Sequence, residues 1–282
     1  EGPEPRRTIR EVHPQVRQID GWISGVGAAI ALADLDGDGV SNELCSVDNG
    51  TDRVLVAQVP APSPEVPPTS GVGGPEAEGA EVPATSGDVF TPFVLDPSPL
   101  RFDRTMAPMG CLPGDLNEDG LEDLLVYYWG RPPVAFLRRG GELGWPLRAA
   151  AFRPVEIVSS GEAWYSNAAT RADFDGDGHI DLVVGNYIPE GYGVLDPQAT
   201  NRVEMQRSMS RADNGGRNRL LLWRGGEGDV EPSGELVEVP GALPGRAEIG
   251  WTLALGAADL DGDQLPELYV ANDFGPDVLF HN

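Results

Sequence analysis

Short apolar runs alternate with acidic loops along this chain, and the same order recurs four times. A unit begins with an apolar run such as 28–32 or 251–255, continues with the acidic loop, and resumes with a second apolar run at 124–129, 182–184 or 268–270. Runs this short, rich in Val, Leu and Tyr, are typical of β-strands. Each acidic loop therefore connects two predicted strands.

A third apolar run follows in every unit, at 54–59, 134–137, 220–223 and 278–280. Repeated units of three or four antiparallel strands are the building plan of β-propeller blades. The pattern predicts an all-β fold, a β-propeller with four visible blades that form part of a larger ring. The blade motifs lie at 34–44, 115–124, 173–182 and 259–268.

The units are not evenly spaced, because two intervals contain extra sequence. We divide the chain into an N-terminal segment, 1–21, and a propeller, 22–282. The insert 60–88 is rich in Pro, Gly and Glu and is predicted to be a solvated loop. The insert 188–217 is predicted to contain a short helix over Thr200 to Arg211, ended by Asn214-Gly-Gly.

The acidic loops carry oxygen-bearing side chains at positions one, three, five and nine, counted from the first Asp. A hard cation such as Ca²⁺ takes six to eight oxygen ligands, and a loop with this spacing supplies them with a backbone carbonyl at position seven. The predicted ligands are Asp34, Asp36, Asp38, Val40 and Asn42; Asp115, Asn117, Asp119, Leu121 and Asp123; Asp173, Asp175, Asp177, His179 and Asp181; and Asp259, Asp261, Asp263, Leu265 and Glu267. Up to four Ca²⁺ are expected.

Two of the loops depart from the common pattern, and two other readings compete with calcium. Gln264 replaces the turn glycine in the fourth loop and Asn42 replaces the closing carboxylate in the first, so we expect weaker sites there. Asp-Gly pairs also make tight hairpin turns, but turns do not require the alternating further acids. An EF-hand needs Glu at position twelve and flanking helices, whereas these loops have Val or Cys and strands.

The recurring D-x-[DN]-x-D-G-x-x-D-L pattern between strands resembles the FG-GAP or VCBS repeat, found in the seven-bladed propeller of integrin α chains and in many secreted bacterial proteins. Bacterial proteins similar to cartilage acidic protein share its long inserts between strands. The resemblance covers about residues 22–282. It implies a propeller whose blades hold Ca²⁺ between their first two strands, in a secreted, periplasmic or cell-surface protein.

Composition narrows the classes of partner. The formal net charge is −25 and all 20 basic residues are Arg, which argues against nucleic acid and anionic membranes. No apolar run is long enough to span a membrane. Cys45 and Cys111, each beside an acidic loop, are either buried free thiols or a disulfide, and we favour the disulfide.

Catalytic motifs are missing from the sequence, so we expect a non-catalytic scaffold that binds protein or carbohydrate. Candidate ligand-binding residues are Trp22, Trp164, Tyr165, Trp251, Arg207 and Arg211. The aromatic residues either line one face of the ring or pack between blades. The arginines either bind an acidic partner or form ion pairs with the protein's own carboxylates, and we favour these internal ion pairs. The alternatives are a lectin, and part of an enzyme or larger assembly whose catalytic residues lie outside this chain. Another chain or a missing segment would complete the ring.

Overall fold

The computed structural model describes residue 7 and residues 9–59, 91–140, 147–158, 160–228, 230–245 and 248–282. The predicted loop insert 60–88 lies outside the described residues.

The strands of the described chain form four antiparallel sheets. The first contains β1 (Ile30–Ala33), β2 (Glu43–Asp48), β3 (Arg53–Gln58) and β4 (Phe93–Val94). The second contains β5 (Ala107–Gly114), β6 (Asp123–Trp129), β7 (Val134–Arg138) and β8 (Phe152–Val155). The third contains β9 (Ser166–Ala172), β10 (Asp181–Asn186), β11 (Arg219–Glu227) and β12 (Ser233–Glu238). The fourth contains β13 (Thr252–Ala258), β14 (Glu267–Asn272) and β15 (Val278–Phe280).

Each sheet is a meander in which strands that follow one another along the chain are neighbours in space. The first strands of the sheets also contact one another in order, β1 with β5, β5 with β9 and β9 with β13. This arrangement is that of consecutive propeller blades with their first strands innermost. The all-β prediction and the predicted strand positions are confirmed.

Buried apolar side chains fill the space between adjacent blades. Val56 and Phe136 are among the buried residues between the first two sheets, Leu125 and Val184 lie in the next interface, and Val270 lies in the last. Alternate residues of a strand point to opposite faces, so a blade between two others needs apolar residues on both faces. β10 shows this, because all six of its residues are buried.

Two helical turns precede the first blade and were not predicted. A 3-10 helix spans Pro14–Ile19, and α1 spans Asp20–Gly25. Val16 and Ile23 from these turns are buried in a cluster with Trp129, Tyr187 and Trp251. The helical turns therefore cover apolar residues near the ends of the blades.

The helix predicted over Thr200 to Arg211 is wrong, since that segment has no regular secondary structure. Side chains supply the hydrogen bonds that a helix would have formed along its backbone. Asn201 Nδ2 donates to the Gly191 and Tyr192 carbonyls, and Asn214 accepts from the Arg207 N–H while donating to the Met205 carbonyl. Such side-chain bonds compete with helix formation in a segment this short.

Cys45 in β2 and Cys111 in β5 form a disulfide that joins the first two blades. No helix in the described part of the chain is both long and apolar enough to cross a membrane.

Candidate metal centres in the acidic loops

A buried carboxylate at the start of the second strand closes each acidic loop. It accepts a hydrogen bond from the backbone N–H of the residue after the first Asp, at 2.7 to 2.9 Å, in the pairs Leu35–Glu43, Leu116–Asp123, Phe174–Asp181 and Leu260–Glu267. These carboxylates lie opposite the last residue of the first strand, in the pairs Ala33–Glu43, Gly114–Asp123, Ala172–Asp181 and Ala258–Glu267. The four loops therefore share one geometry.

The structure places Glu43, and not Asn42, at the closing position of the first loop. The first loop is one residue longer than the others, so counting nine positions from Asp34 stops one residue too early. The backbone carbonyl of Asn42 instead accepts a hydrogen bond from the Val59 N–H at 2.7 Å. The first loop thus closes on a carboxylate like the rest, which removes the reason to expect a weaker site there.

The first Asp of each loop holds the loop in shape. In the third loop Asp173 Oδ1 accepts from the Gly176 and Asp177 N–H groups, and Oδ2 accepts from Gly178. Gly178 has a φ of 91°, a left-handed conformation that glycine adopts without strain. Gln264 takes the same place in the fourth loop with a φ of 78°, which costs free energy for a residue with a side chain.

Acidic oxygens converge within the loops. One oxygen from each member lies within 4.8 Å of the others in the sets Asp34–Asp36–Glu43, Asp173–Asp175–Asp181 and Asp259–Asp261–Asp263. Like charges at such separations repel by roughly 1 kcal/mol per pair in water and more where solvent is excluded. The empty loops are therefore electrostatically unfavourable, and a bound cation would relieve the repulsion.

Burial raises the pKa of several of these carboxyl groups. Desolvation raises the pKa of Asp123 to about 7, with smaller contributions from Asp119 and Asp115. Burial is also the largest cause of the raised pKa values of Glu43 and Asp181. Burial therefore disfavours the charged forms of these three carboxyl groups.

Among the described residues, two loop oxygens are buried without a hydrogen-bond donor: Asn117 Oδ1 in the second loop and Glu267 Oε1 in the fourth. Their residues are 2% and 4% exposed. The Asn117 amide nitrogen donates to Asp119 Oδ2 and to the Glu227 carbonyl, each at 3.1 Å, which fixes the orientation of the amide. A buried unsatisfied oxygen costs about 1–3 kcal/mol, and a hard cation would satisfy both. The donor sets therefore fit Ca²⁺.

Side chains of the second loop also form hydrogen bonds to the first and third loops, a feature that the sequence did not indicate. Glu118 Oε2 lies 2.7 Å from His179 Nδ1 and Oε1 accepts from the Ile180 N–H, both in the third loop. Glu122 Oε2 accepts from the Asp34 N–H in the first loop at 2.6 Å. The His179 ring stacks on Trp223 with its centroid 4.1 Å away, and the hydrogen bond to Glu118 raises the pKa of His179. The first three loops thus form one hydrogen-bonded row.

Three of the four aromatic residues proposed to line an open face are buried instead. Trp164, Tyr165 and Trp251 are at most 1% exposed. Arg219 lies over the Trp164 ring at 4.0 Å, and the Tyr165 hydroxyl accepts from the Val194 N–H. Only Trp22, on α1, is substantially exposed, at 43%. These three residues therefore follow the alternative of internal packing: Trp164 lies in the apolar cluster between the second and third blades, and Tyr165 and Trp251 lie in the cluster that includes Val16 and Ile23 of the N-terminal turns.

The arginine-rich insert supplies internal ion pairs. Arg219, with a fully buried side chain, lies 2.7 Å from Glu162 and 2.9 Å from Glu190. Arg207 forms an ion pair with Glu204 on the surface, and Arg211 is exposed, with its backbone N–H bonded to Ser208. Arg219, in β11 directly after the insert, and Arg207 therefore pair with the protein's own carboxylates, whereas no ion pair of Arg211 is seen within the described residues.

Comparison with known proteins gives one family. Residues 115–184 match the FG-GAP-like repeat, a span that runs from the second acidic loop through the third. The chain therefore contains the FG-GAP-like repeat that its motifs resemble. A search of curated proteins found none that matches the chain.

Proposed function

We propose that this FG-GAP repeat chain is a calcium-stabilised β-propeller that serves outside the cytoplasm as a non-catalytic scaffold for recognition of another protein. The observation that carries the calcium assignment is the pair of buried, donorless oxygens on Asn117 and Glu267, since each lies in an acidic loop and each needs a positive partner. Hairpin turns alone do not explain them.

The residues that would hold the ion share three roles. The Asp residues at positions one, three and five contribute carboxylate oxygens, position seven contributes its carbonyl, and the closing carboxylate supplies the last oxygen. When bound, Ca²⁺ supplies the charge that offsets repulsion between these groups. In the first loop the ligands become Asp34, Asp36, Asp38 and Glu43, with the carbonyl of Val40.

The scaffold role is supported by the surroundings of the titratable groups. The closing carboxylates of the loops accept hydrogen bonds from backbone N–H groups, and the loop carboxylates are the proposed ligands of the cation. His13 is buried, with Nδ1 accepting from the Gln15 N–H and Nε2 3.0 Å from the Asn201 carbonyl. These groups have structural partners that account for them.

Exposed apolar side chains on the outer blades favour a protein partner over a glycan. Ile30 and Leu32 on β1 are 72% and 55% exposed, and Tyr269 and Leu279 in the last sheet are 44% and 55% exposed. Aliphatic groups on a sheet face are covered by other protein, either further blades or another chain. Burial of Trp164, Tyr165 and Trp251 leaves Trp22 as the one exposed aromatic residue of the four on which the lectin hypothesis depended.

The extracytoplasmic location is supported by the Cys45–Cys111 bond. Disulfides persist in oxidising compartments and are rare in the cytosol of most organisms.

The direct test of calcium binding is elemental analysis of the full chain after removal of metal and dialysis against Ca²⁺. We expect close to one Ca²⁺ per acidic loop in the wild type. Asn117→Leu should lose one ion, because an isosteric apolar group cannot ligate. Asn42→Leu is the matched control and should retain the wild-type content. Absence of bound Ca²⁺ in the wild type would overturn the proposal.

A further inference from the structure

The fourth acidic loop has a nitrogen donor next to its carboxylates. His281 follows β15, and its Nε2 lies 2.8 Å from Asp261 Oδ2. The donor atoms of His281, Asp261 and Glu267 all lie within 4.8 Å of one another. Within the described residues, no other such cluster of potential metal ligands includes a histidine.

Both ring nitrogens of His281 face oxygen acceptors. Nδ1 lies 2.9 Å from the Asn282 carbonyl, which can only accept, so Nδ1 carries a hydrogen. Nε2, which lies 2.8 Å from Asp261 Oδ2, is then the ring nitrogen that would bind a cation. Metal-binding histidines commonly donate their other N–H to a carbonyl in this way.

Glu267, whose unpaired oxygen already supports a cation in this loop, is the third member of the cluster. It is 4% exposed, Oε2 accepts from the Leu260 N–H, and within the described part of the chain Oε1 has no hydrogen-bond partner. In the second and third blades the corresponding oxygen is occupied: Asp123 Oδ1 accepts from the Arg138 N–H and Asp181 Oδ1 from the Trp223 N–H. Of these three blades, only the fourth has both a buried oxygen without a hydrogen-bond donor and an imidazole nearby.

We propose that His281, Asp261 and Glu267 form a mixed nitrogen–oxygen site for a divalent transition cation, with Zn²⁺ as its representative. The inference rests on the proposed role of the fourth loop as a cation site and changes the cation that this loop selects. Imidazole nitrogen favours Zn²⁺ and its neighbours, whereas Ca²⁺ binds oxygen.

The test uses the full chain without a histidine tag, in buffer with excess Ca²⁺. Zn²⁺ is titrated by calorimetry, and Co²⁺ is titrated by visible absorption, which reports ligand type. We expect one Zn²⁺ per chain, and at least about tenfold weaker binding in His281→Ala. The His281 side chain is 71% exposed, so its loss should not disturb folding. Leu253→Ala changes an exposed side chain of the same sheet that has no part in the proposed site, and should bind Zn²⁺ like the wild type.

The outcomes separate this inference from the calcium proposal. Equal Zn²⁺ affinity in His281→Ala and wild type would overturn the inference. Bound Ca²⁺ with no Zn²⁺ binding would also overturn it, leaving His281 as an ion-pair partner of Asp261, while the calcium proposal stands. Failure to bind either ion would overturn both.

Discussion

The backbone N–H of Leu35 donates a 2.8 Å hydrogen bond to Oε2 of Glu43, across a loop that the sequence pattern appeared to close at Asn42. The same bond links Phe174 to Asp181 in the third blade at 2.9 Å. Glu43 is fully buried, at 0% exposure. The closing carboxylate therefore fixes the loop to the strand that follows it, in addition to its proposed role towards a cation.

Replacing Glu43 should weaken the first loop in two ways. Glu43→Ala leaves the Leu35 N–H without its buried acceptor, which costs about 1–3 kcal/mol of unfolding free energy, and it removes a proposed ligand. Urea denaturation and Ca²⁺ titration measure the two effects. Asn42→Asp is the informative comparison: a tighter calcium site in that variant would show that Asn42, and not Glu43, holds the closing position.

Glu118 should influence the third calcium site without being one of its ligands. Glu118→Gln removes the charge that faces His179 and weakens the acceptor for the Ile180 N–H, so we expect calcium affinity of the third loop to fall about fivefold. Terbium luminescence sensitised by Trp223, which stacks on His179, reports on this loop. Glu122→Gln alters the contact with the first loop instead and should leave the Trp223-sensitised signal unchanged.

Replacing Gln264 by glycine should stabilise the folded protein. Its φ of 78° is unfavourable for a residue with a Cβ, and part of the gain is offset by the greater freedom of glycine in the unfolded chain. Gln264→Gly should raise the unfolding free energy by up to about 1 kcal/mol, measured by denaturant unfolding. Gln264→Ala keeps the strain and should not stabilise. Equal effects of the two substitutions would contradict this explanation.

The disulfide should contribute substantially to stability. It closes a loop with a sequence separation of 66 residues, which corresponds to about 4 kcal/mol in the chain-entropy model. Cys45→Ala with Cys111→Ala should lower the denaturant midpoint accordingly. Reduction of the wild type should give a similar loss, whereas reducing agent should not change the double variant. Unchanged unfolding in both experiments would show that the bond is not stabilising.

Strands and acidic loops were predictable because each depends on residues close together in sequence. Apolar runs of strand length, separated by Asp-Gly loops, placed β6, β7 and β10 to within about two residues. The closing residue of the first loop was missed because the position was counted from the first Asp, and this loop is one residue longer than the others. A count back from the second strand would have found it, because Glu43 directly precedes the apolar residues of β2.

The remaining differences come from contacts between distant segments. Trp164 and Trp251 are buried by packing within and between blades and beneath the N-terminal turns, which local patterns do not specify. The contacts from Glu118 to His179 and from His281 to Asp261 likewise depend on how blades stack and how strands pair. The predicted helix near Arg207 failed because side chains of Asn201 and Asn214 bond the local backbone.

The most direct test of the central claim is thermal unfolding of the full chain in excess Ca²⁺ and again after chelation. Each site occupied at about 100 times its dissociation constant contributes about 2.7 kcal/mol, so loss of two or more ions should lower Tm by at least about 10 °C. Restoring Ca²⁺ should return the original Tm. An unchanged Tm on chelation would contradict the account, and the acidic loops would then be hairpin turns without a structural ion.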